Sequence, residues 1–481
     1  MKLTPGRDGS GVGGARSTDE AGNDRGGKGP WFRCASRGVD EREIGVSLTA
    51  RTKLEELQEK LYAKAKAEPE FRFYVLYDKI HRADVLAEAL RLAKANRGAP
   101  GVDGQTFEEV EAYGQERWLG EVAEELKRKT YRAQPVRRVK IPKPGGGERP
   151  LGIPTIRDRV VQTAAKLILE PIFEADLRND VYGYRPERSA VQAVEQVHRE
   201  LGAGKTEVID ADLSKYFDTI PHAELMTCIA RRVVDSAVLG LIKQWLKAPA
   251  EERDERGRPR MSGGKRSRQG TPQGGVISPL LANIYINRLL KMFERSDLPQ
   301  RYGARLVNYA DDFVVVCRRG AHEVLGHVKR WLAGMKLTLN KTKTCIREAR
   351  KESFRFLGYE LGPMPNRRTG RRYLGVQPSK PAVQRMREKV GRILRTGRVE
   401  PWEPIRDELN RLLRGWGTYF RYGSPRKAFH DVDEYVADRA RAFLRRRHKL
   451  PTRTSRLGWV ELHGQRGILC LTKLFQPHAC A

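Results

Sequence analysis

Long apolar runs are missing from this 481-residue chain. Nothing approaches the ~20 consecutive apolar residues of a membrane-spanning helix, and the first ten residues hold no hydrophobic signal core. Cysteine is scarce. The six present (Cys34, Cys228, Cys317, Cys345, Cys470, Cys480) have neither the paired spacing of a metal site nor a disulfide framework, as expected of a protein in a reducing cytoplasm. Acids are in deficit: 60 Asp+Glu stand against 92 Lys+Arg, a formal net charge of +32 and a pI of about 10.1. Such an excess suits long phosphate tracks, without distinguishing RNA from DNA. With 39% hydrophobic residues, two or three domains with real cores are expected.

Composition shifts along the chain. Residues 1 to about 50 are rich in Gly, Arg, Asp and Ser and cannot bury enough apolar surface to order themselves, so a disordered leader is expected, with its boundary at residue 66. Leu54, Leu57 and Leu61 begin a helical pattern, and Val85, Leu86, Leu90 and Leu92 another. From about 130 to 362 strand and helix signals mix, and Ala250 to Gly270, dense in Glu, Arg, Gly and Lys, is expected to be an exposed loop. After about 375 strand signals stop, and Leu409, Leu412, Leu413, Trp416 and Phe420 follow a helical period. The expected division is therefore 67–374, 375–450 and 451–481. Two motifs are set aside. Gly202 to Thr206 lacks the first glycine of a phosphate-binding loop, where Arg199 stands, and is followed by a strand. His322 and His327 sit five apart, about 140° around a helix, and cannot share a metal.

The most informative residues are Tyr309-Ala310-Asp311-Asp312, two adjacent acids between the apolar runs Leu306-Val307 and Phe313 to Val316. Side chains alternate along a strand, so neighbouring acids project together only where the chain reverses. Upstream, Val208 to Asp218 reads as an apolar strand ending in acid and running into the aromatic pair Tyr216-Phe217. Acids on rigid strand ends suit hard divalent cations, and nucleotidyl transfer uses two Mg²⁺ about 3.5–4 Å apart. Asp212, Asp311 and Asp312 could hold them. Asp210 shares the face of Asp212, so spacing leaves it open as the ligand.

Further blocks accompany these acids: Gly98-Ala99-Pro100-Gly101-Val102-Asp103-Gly104, Ile141 to Pro154, Tyr182-Gly183-Tyr184-Arg185-Pro186, Gly270-Thr271-Pro272-Gln273-Gly274-Gly275 through Asn283, Leu339 to Thr344 and Phe356-Leu357-Gly358-Tyr359. Their order resembles that of group II intron-encoded reverse transcriptases, the maturase family, over roughly residues 75 to 445. The resemblance implies an α+β right-hand polymerase, with fingers and palm built on antiparallel sheet and followed by an all-helical thumb. It also implies catalysis by Asp212, Asp311 and Asp312, with two Mg²⁺ held by these acids and Leu213.

Lys143 and Arg149 flank a triple-glycine turn and could fold over a triphosphate, a fingers role the family shares. Phe217, five residues after Asp212, matches the aromatic that stacks on the incoming sugar and leaves no room for a 2′-hydroxyl, although its periodicity fits an ordinary core aromatic equally well. Tyr216 and Gln273 would join the nucleotide site, Tyr182 to Pro186 would shape its pocket, and Lys343 matches a lysine that could protonate leaving pyrophosphate. Arg185, Arg414, Trp416, Arg445, Arg446 and Arg447 are the expected nucleic-acid contacts, because Leu412 to Phe420 resembles the family's helical maturase motif and the arginines recur downstream. Pro451 to Ala481 is short for the family's HNH endonuclease and lacks its ligands, like the endonuclease-free branch. The implied function is RNA-directed DNA synthesis from a DNA primer and dNTPs, with binding of group II intron RNA, assistance to splicing, and copying at a target DNA. Alternatives are a splicing-only maturase and a reverse transcriptase serving defence or repair.

Overall fold

The computed structural model describes residues 48–142, 148–254, 256, 258–264, 266–366, 369–449, 451 and 457–475. Residues 1–47 of the expected leader and the candidate Lys143 lie outside these. Helix Leu48–Ala67 opens the described chain. It lays Leu54, Leu61 and Ala65 into the main core, and Gln58 Nε2 donates to the Leu167 carbonyl at 2.9 Å. The leader boundary at 66 is thus corrected: the Leu54-Leu57-Leu61 stripe pins this helix to helix Ile156–Glu174.

Among the described residues, eleven strands form three sheets. Strands β1 (Val136–Pro142) and β2 (Glu148–Ile153) make an antiparallel hairpin that presents Arg149 opposite Ile141. Strand β3 (Glu207–Asp212) belongs to a second sheet, while β4 (Pro249–Arg253) and β5 (Pro259–Gly263) return to the first, in the order β2-β1-β4-β5. The exposed loop expected over Ala250–Gly270 is therefore corrected to a hairpin at its start. All five residues of β5 are exposed, so this edge strand buries no face and leaves no apolar alternation to read.

Strands β6 (Arg305–Tyr309) and β7 (Asp312–Cys317) form a hairpin, and with β8 (Cys345–Glu348) they complete the second sheet as β6-β7-β3-β8. Its central strands carry Val208, Ile209 and Phe313 to Val316, all buried, as expected for a sheet covered on both faces. Helices Ile156–Glu174 and Ser278–Arg295 contribute much of the covering core. Strands β9 (Phe354–Phe356), β10 (Tyr359–Pro365) and β11 (Arg372–Pro378) make a third antiparallel sheet, with β11 running across the expected boundary at 374–375.

Three helices follow, Lys380–Ile393, Trp402–Tyr419 and Arg426–Arg447, packed around Leu409, Leu413, Phe429, Val432, Val436 and Leu444. Residues 457–475 return onto this bundle. Buried Asp433 accepts hydrogen bonds from the backbone N–H of Leu471 (2.8 Å) and Thr472 (2.9 Å) and from the Thr472 hydroxyl (2.8 Å), giving a helix-interior carboxylate the partners that burial requires.

Candidate active site

The β6–β7 hairpin reverses through Ala310-Asp311, with Ala310 at φ +58°, a left-handed conformation that costs an L residue on the order of 1–2 kcal/mol. Asn308 offsets that strain. It is fully buried, and its Nδ2 donates to the carbonyls of Ala310 (2.9 Å) and Asp312 (3.3 Å), closing the turn from inside. Nothing in the sequence periodicity marks Asn308 for this role beyond a polar residue within an apolar strand.

Sheet register then decides which upstream acid meets the turn. Asp212 lies directly opposite Asp312, whereas Asp210 lies opposite Val314 and Cys345, further into the sheet. The Leu213 N–H donates to the Asp311 carbonyl at 3.2 Å, tying the end of β3 to the turn. Lys343 Nζ and Asn340 Nδ2 both donate to Asp212 Oδ2 at 3.1 Å. Asp312 reaches the open cleft but is walled by protein on its other sides. Burial first, then the charges of Asp311 and Asp212, push its pKa up to about 7. Burial also raises Asp210 to about 6, against the pull of Arg347. Negative charge is thus crowded here with one lysine against it. Three ligand atoms come within 4.8 Å of one another, among the described residues, only at His430, Asp431 and Glu434 on the surface of helix Arg426–Arg447; the three cleft carboxylates are more widely spaced.

Arg149, Gln273 and Asp218 form a connected polar chain. Arg149 Nε donates to Gln273 Oε1 (2.7 Å), and Gln273 Nε2 donates to Asp218 Oδ1 (3.1 Å). Gln273 is also anchored through its backbone, since its carbonyl accepts from Gly152 N–H at 2.6 Å. The contact needs a glycine next door. At Gly274, φ is +109° and a Cβ would lie 2.4 Å from the Gly152 oxygen. Asp218 was missed by sequence reasoning, because nothing local says that it faces a glutamine 55 residues on.

Phe217 lies at the floor, 6% exposed, with its carbonyl accepting from Thr271 N–H at 2.7 Å. Tyr216, expected to contact nucleotide, does not reach the cleft: it is 2% exposed and donates its hydroxyl to the Ala282 carbonyl at 2.6 Å.

Arg185 is corrected as well. Its side chain is 5% exposed, its Nε lies 3.0 Å from both oxygens of Glu174, and its Nη1 donates to the carbonyls of Arg178 (2.8 Å) and Val181 (2.7 Å). With its donors spent inside the palm, it brings no free charge to a nucleic acid. Trp416 is half-buried and packs on Phe420 (5.0 Å between ring centroids) and Phe429 (5.6 Å) at the margin of the bundle core. Arg414 and Arg446 are exposed, and Arg445 is half-buried with its Nε on the Arg441 carbonyl. Arg446 also donates to the Thr396 hydroxyl (2.8 Å), and Arg447 to the Glu400 carbonyl (2.7 Å), so both brace the loop before helix Trp402–Tyr419.

Residues 141–361 match the family model described as reverse transcriptase (RNA-dependent DNA polymerase), and residues 383–459 match the group II intron maturase-specific domain. Protein YkfC of Escherichia coli K12 is 36% identical over 346 residues, covering 64% of this chain and 88% of that protein. The chain belongs to the group II intron reverse transcriptase/maturase family. Group II intron-encoded protein LtrA of Lactococcus lactis subsp. cremoris is 34% identical over 236 residues, 48% of this chain but 38% of LtrA. A putative COX1/OXI3 intron 1 protein of Saccharomyces cerevisiae is 27% identical over 383 residues, 68% of this chain and 43% of its own length. In family terms the first two sheets with their helices are fingers and palm of a right-hand polymerase, and the helical bundle is the maturase domain. No described helix is long and apolar enough to cross a membrane.

Proposed function

We propose that this reverse transcriptase/maturase binds its group II intron RNA, assists its splicing, and copies it by target-primed synthesis with dNTPs, using the cleft of Asp212, Asp311 and Asp312. The observation that carries the polymerase reading is the register that sets Asp212 opposite Asp312 at the end of the hairpin turn. Three carboxylates facing one lysine form a hard-oxygen donor set suited to divalent cations, and burial, with the charges of Asp311 and Asp212 added, holds the Asp312 pKa up. Asp212, Asp311, Asp312 and the Leu213 carbonyl would hold two Mg²⁺, and the chemistry supplied there would be activation of the primer 3′-hydroxyl and neutralisation of the leaving pyrophosphate. Arg149, released from Gln273, would fork onto the triphosphate, and the sequence offers Lys143 as a second cation for it. Lys343, whose Nζ donates to Asp212, would hand a proton to pyrophosphate. The test is extension of a DNA primer on an RNA template with dNTPs and Mg²⁺; no extension by folded protein sinks the polymerase reading.

Sugar choice should depend on Phe217. Phe217→Ala should admit ribonucleotides by relieving the clash with a 2′-hydroxyl, while deoxynucleotide use falls modestly as stacking is lost. Single-nucleotide insertion kinetics check this, and an unmoved ratio of ribo- to deoxynucleotide use places the gate elsewhere.

RNA binding by the maturase domain should depend on its exposed arginines. Replacing Arg414 and Arg446 with Ala should flatten the salt slope of intron binding by up to about 0.9 for each duplex phosphate no longer neutralised, or ~0.7 for single strands. Splicing at low Mg²⁺ should suffer more than extension of a pre-annealed primer. Normal splicing with an unchanged slope removes these two residues from the RNA interface.

A further inference from the structure

Tyr184 stands out in the cleft on three counts. It is a non-glycine residue at φ +57°, its side chain is 45% exposed although the neighbouring segment is buried, and its ring meets Phe217 edge to face, with centroids 6.1 Å apart and planes at 77°. A left-handed tyrosine persists only where its surroundings over-determine it. Here they do so from two sides. Asn283, 1% exposed, donates its Nδ2 to the Gly183 carbonyl at 2.7 Å. Gly183 itself lies flush against the catalytic turn, where a Cβ would come within 2.5 Å of the Ala310 nitrogen. The segment is further tied to β6, since Tyr182 N–H donates to the Asn308 carbonyl at 2.9 Å.

Phe217, by contrast, is buried in the main core, and two aromatic rings meet its own. Thr271 N–H fixes its carbonyl, and the rings of Tyr216 (5.7 Å between centroids) and Tyr184 (6.1 Å) pack against it. Tyr216 is locked by its own hydroxyl to the Ala282 carbonyl, so that wall cannot move. Of the two rings that meet Phe217, Tyr184 is the exposed one. The Tyr184 phenol also lies within the field of the site: burial raises its pKa, with Asp311 adding to the shift and Arg149 opposing it.

We propose that Tyr184 is a positioning residue for sugar selection: its ring, held in a strained backbone conformation by Asn283 and Gly183, braces the Phe217 ring and sets how strictly a 2′-hydroxyl is excluded. This rests on the reading of Phe217 as the sugar gate. Removing the brace lets the gate ring swing and relaxes discrimination, with the catalytic acids left in place. The ring matters, not the hydroxyl.

Single-nucleotide insertion of dNTP and NTP on an RNA template tests this with the full chain. Tyr184→Ala should raise relative ribonucleotide use about fivefold or more, as expected when one of two coupled, touching residues is removed. Tyr184→Phe, which keeps the ring, should restore the parent ratio. In the Phe217→Ala background, Tyr184→Ala should add nothing. A parental ratio in Tyr184→Ala, when Phe217→Ala alone shifts it, overturns the proposal. So does an equal effect that persists without the Phe217 ring, or one reproduced by Tyr184→Phe. If Phe217→Ala leaves the ratio unmoved, the gate reading itself has failed, and the proposal falls with it. Thermal unfolding identifies a Tyr184→Ala protein that does not fold, in which case Tyr184→Leu, which keeps bulk without an aromatic edge, replaces it with the same expected shift.

Discussion

Replacing Asp311 or Asp312 with Ala should lower DNA synthesis at least ~10³-fold, roughly 4 kcal/mol of barrier, in extension of a DNA primer on an RNA template with Mg²⁺. On the proposed two-metal reading the loss should appear in kcat, because these acids would hold the reacting centre rather than the template. Both proteins should fold. Each substitution removes a charge from a place where like charges crowd Asp312, and neither touches Asn308, whose amide closes the turn through backbone carbonyls. Intron binding and splicing should survive in Asp311→Ala if polymerase and maturase functions are separable. Synthesis within tenfold of the parent would end the two-metal assignment; loss of splicing by a folded Asp311→Ala protein would end the separation.

Arg185→Ala should fail differently, by loss of stability. The Arg185–Glu174 pair is buried on both sides, 5% and 6% exposed, and removing one member leaves the other charged and unpartnered, a cost of roughly 3–5 kcal/mol. On thermal unfolding this corresponds to a fall of roughly 5 °C for a chain of this size. Glu174→Ala should do the same. The double substitution Arg185→Met with Glu174→Leu should lose less than either single change, since it leaves no buried charge alone. Because Arg185 also holds the carbonyls of Arg178 and Val181, the segment leading to Gly183 should loosen and synthesis fall with stability. An Arg185→Ala protein with parental stability but weak template affinity would return this residue to the nucleic-acid interface.

These two predictions differ in how far the sequence could anticipate them. The acidic turn was legible because its information is local: two acids between apolar runs can project together only at a reversal, and the structure places that reversal at Ala310-Asp311. The choice between Asp210 and Asp212 was not local. It required the register of β3 against β7, which pairing sets and spacing along one strand cannot. Arg185 misled because a sequence gives a side chain's charge but not its surroundings, and an arginine in a glycine- and proline-bounded segment looks solvated until Glu174 is found behind it. Tyr216 and Phe217 are neighbours of similar chemistry. Only three-dimensional packing tells that one hydroxyl is locked to Ala282 while the other ring meets Tyr184 near the cleft. The β4–β5 hairpin escaped notice because an exposed edge strand has no buried face to imprint a pattern.

The central place of β3 in the palm sheet also sets a timetable. Its partners β7 and β8 begin only at Asp312 and Cys345, and the lysine beside Asp212 arrives between them. A ribosome adding about 5–20 residues per second therefore exposes the first acid on the order of ten seconds before its neighbouring strands exist. During that interval β3 is an apolar strand with both edges open, a hazard for wrong pairing, and it cannot act as half of a site. Activity is born late and all at once, when the chain has passed β8 and the sheet closes around Asp212.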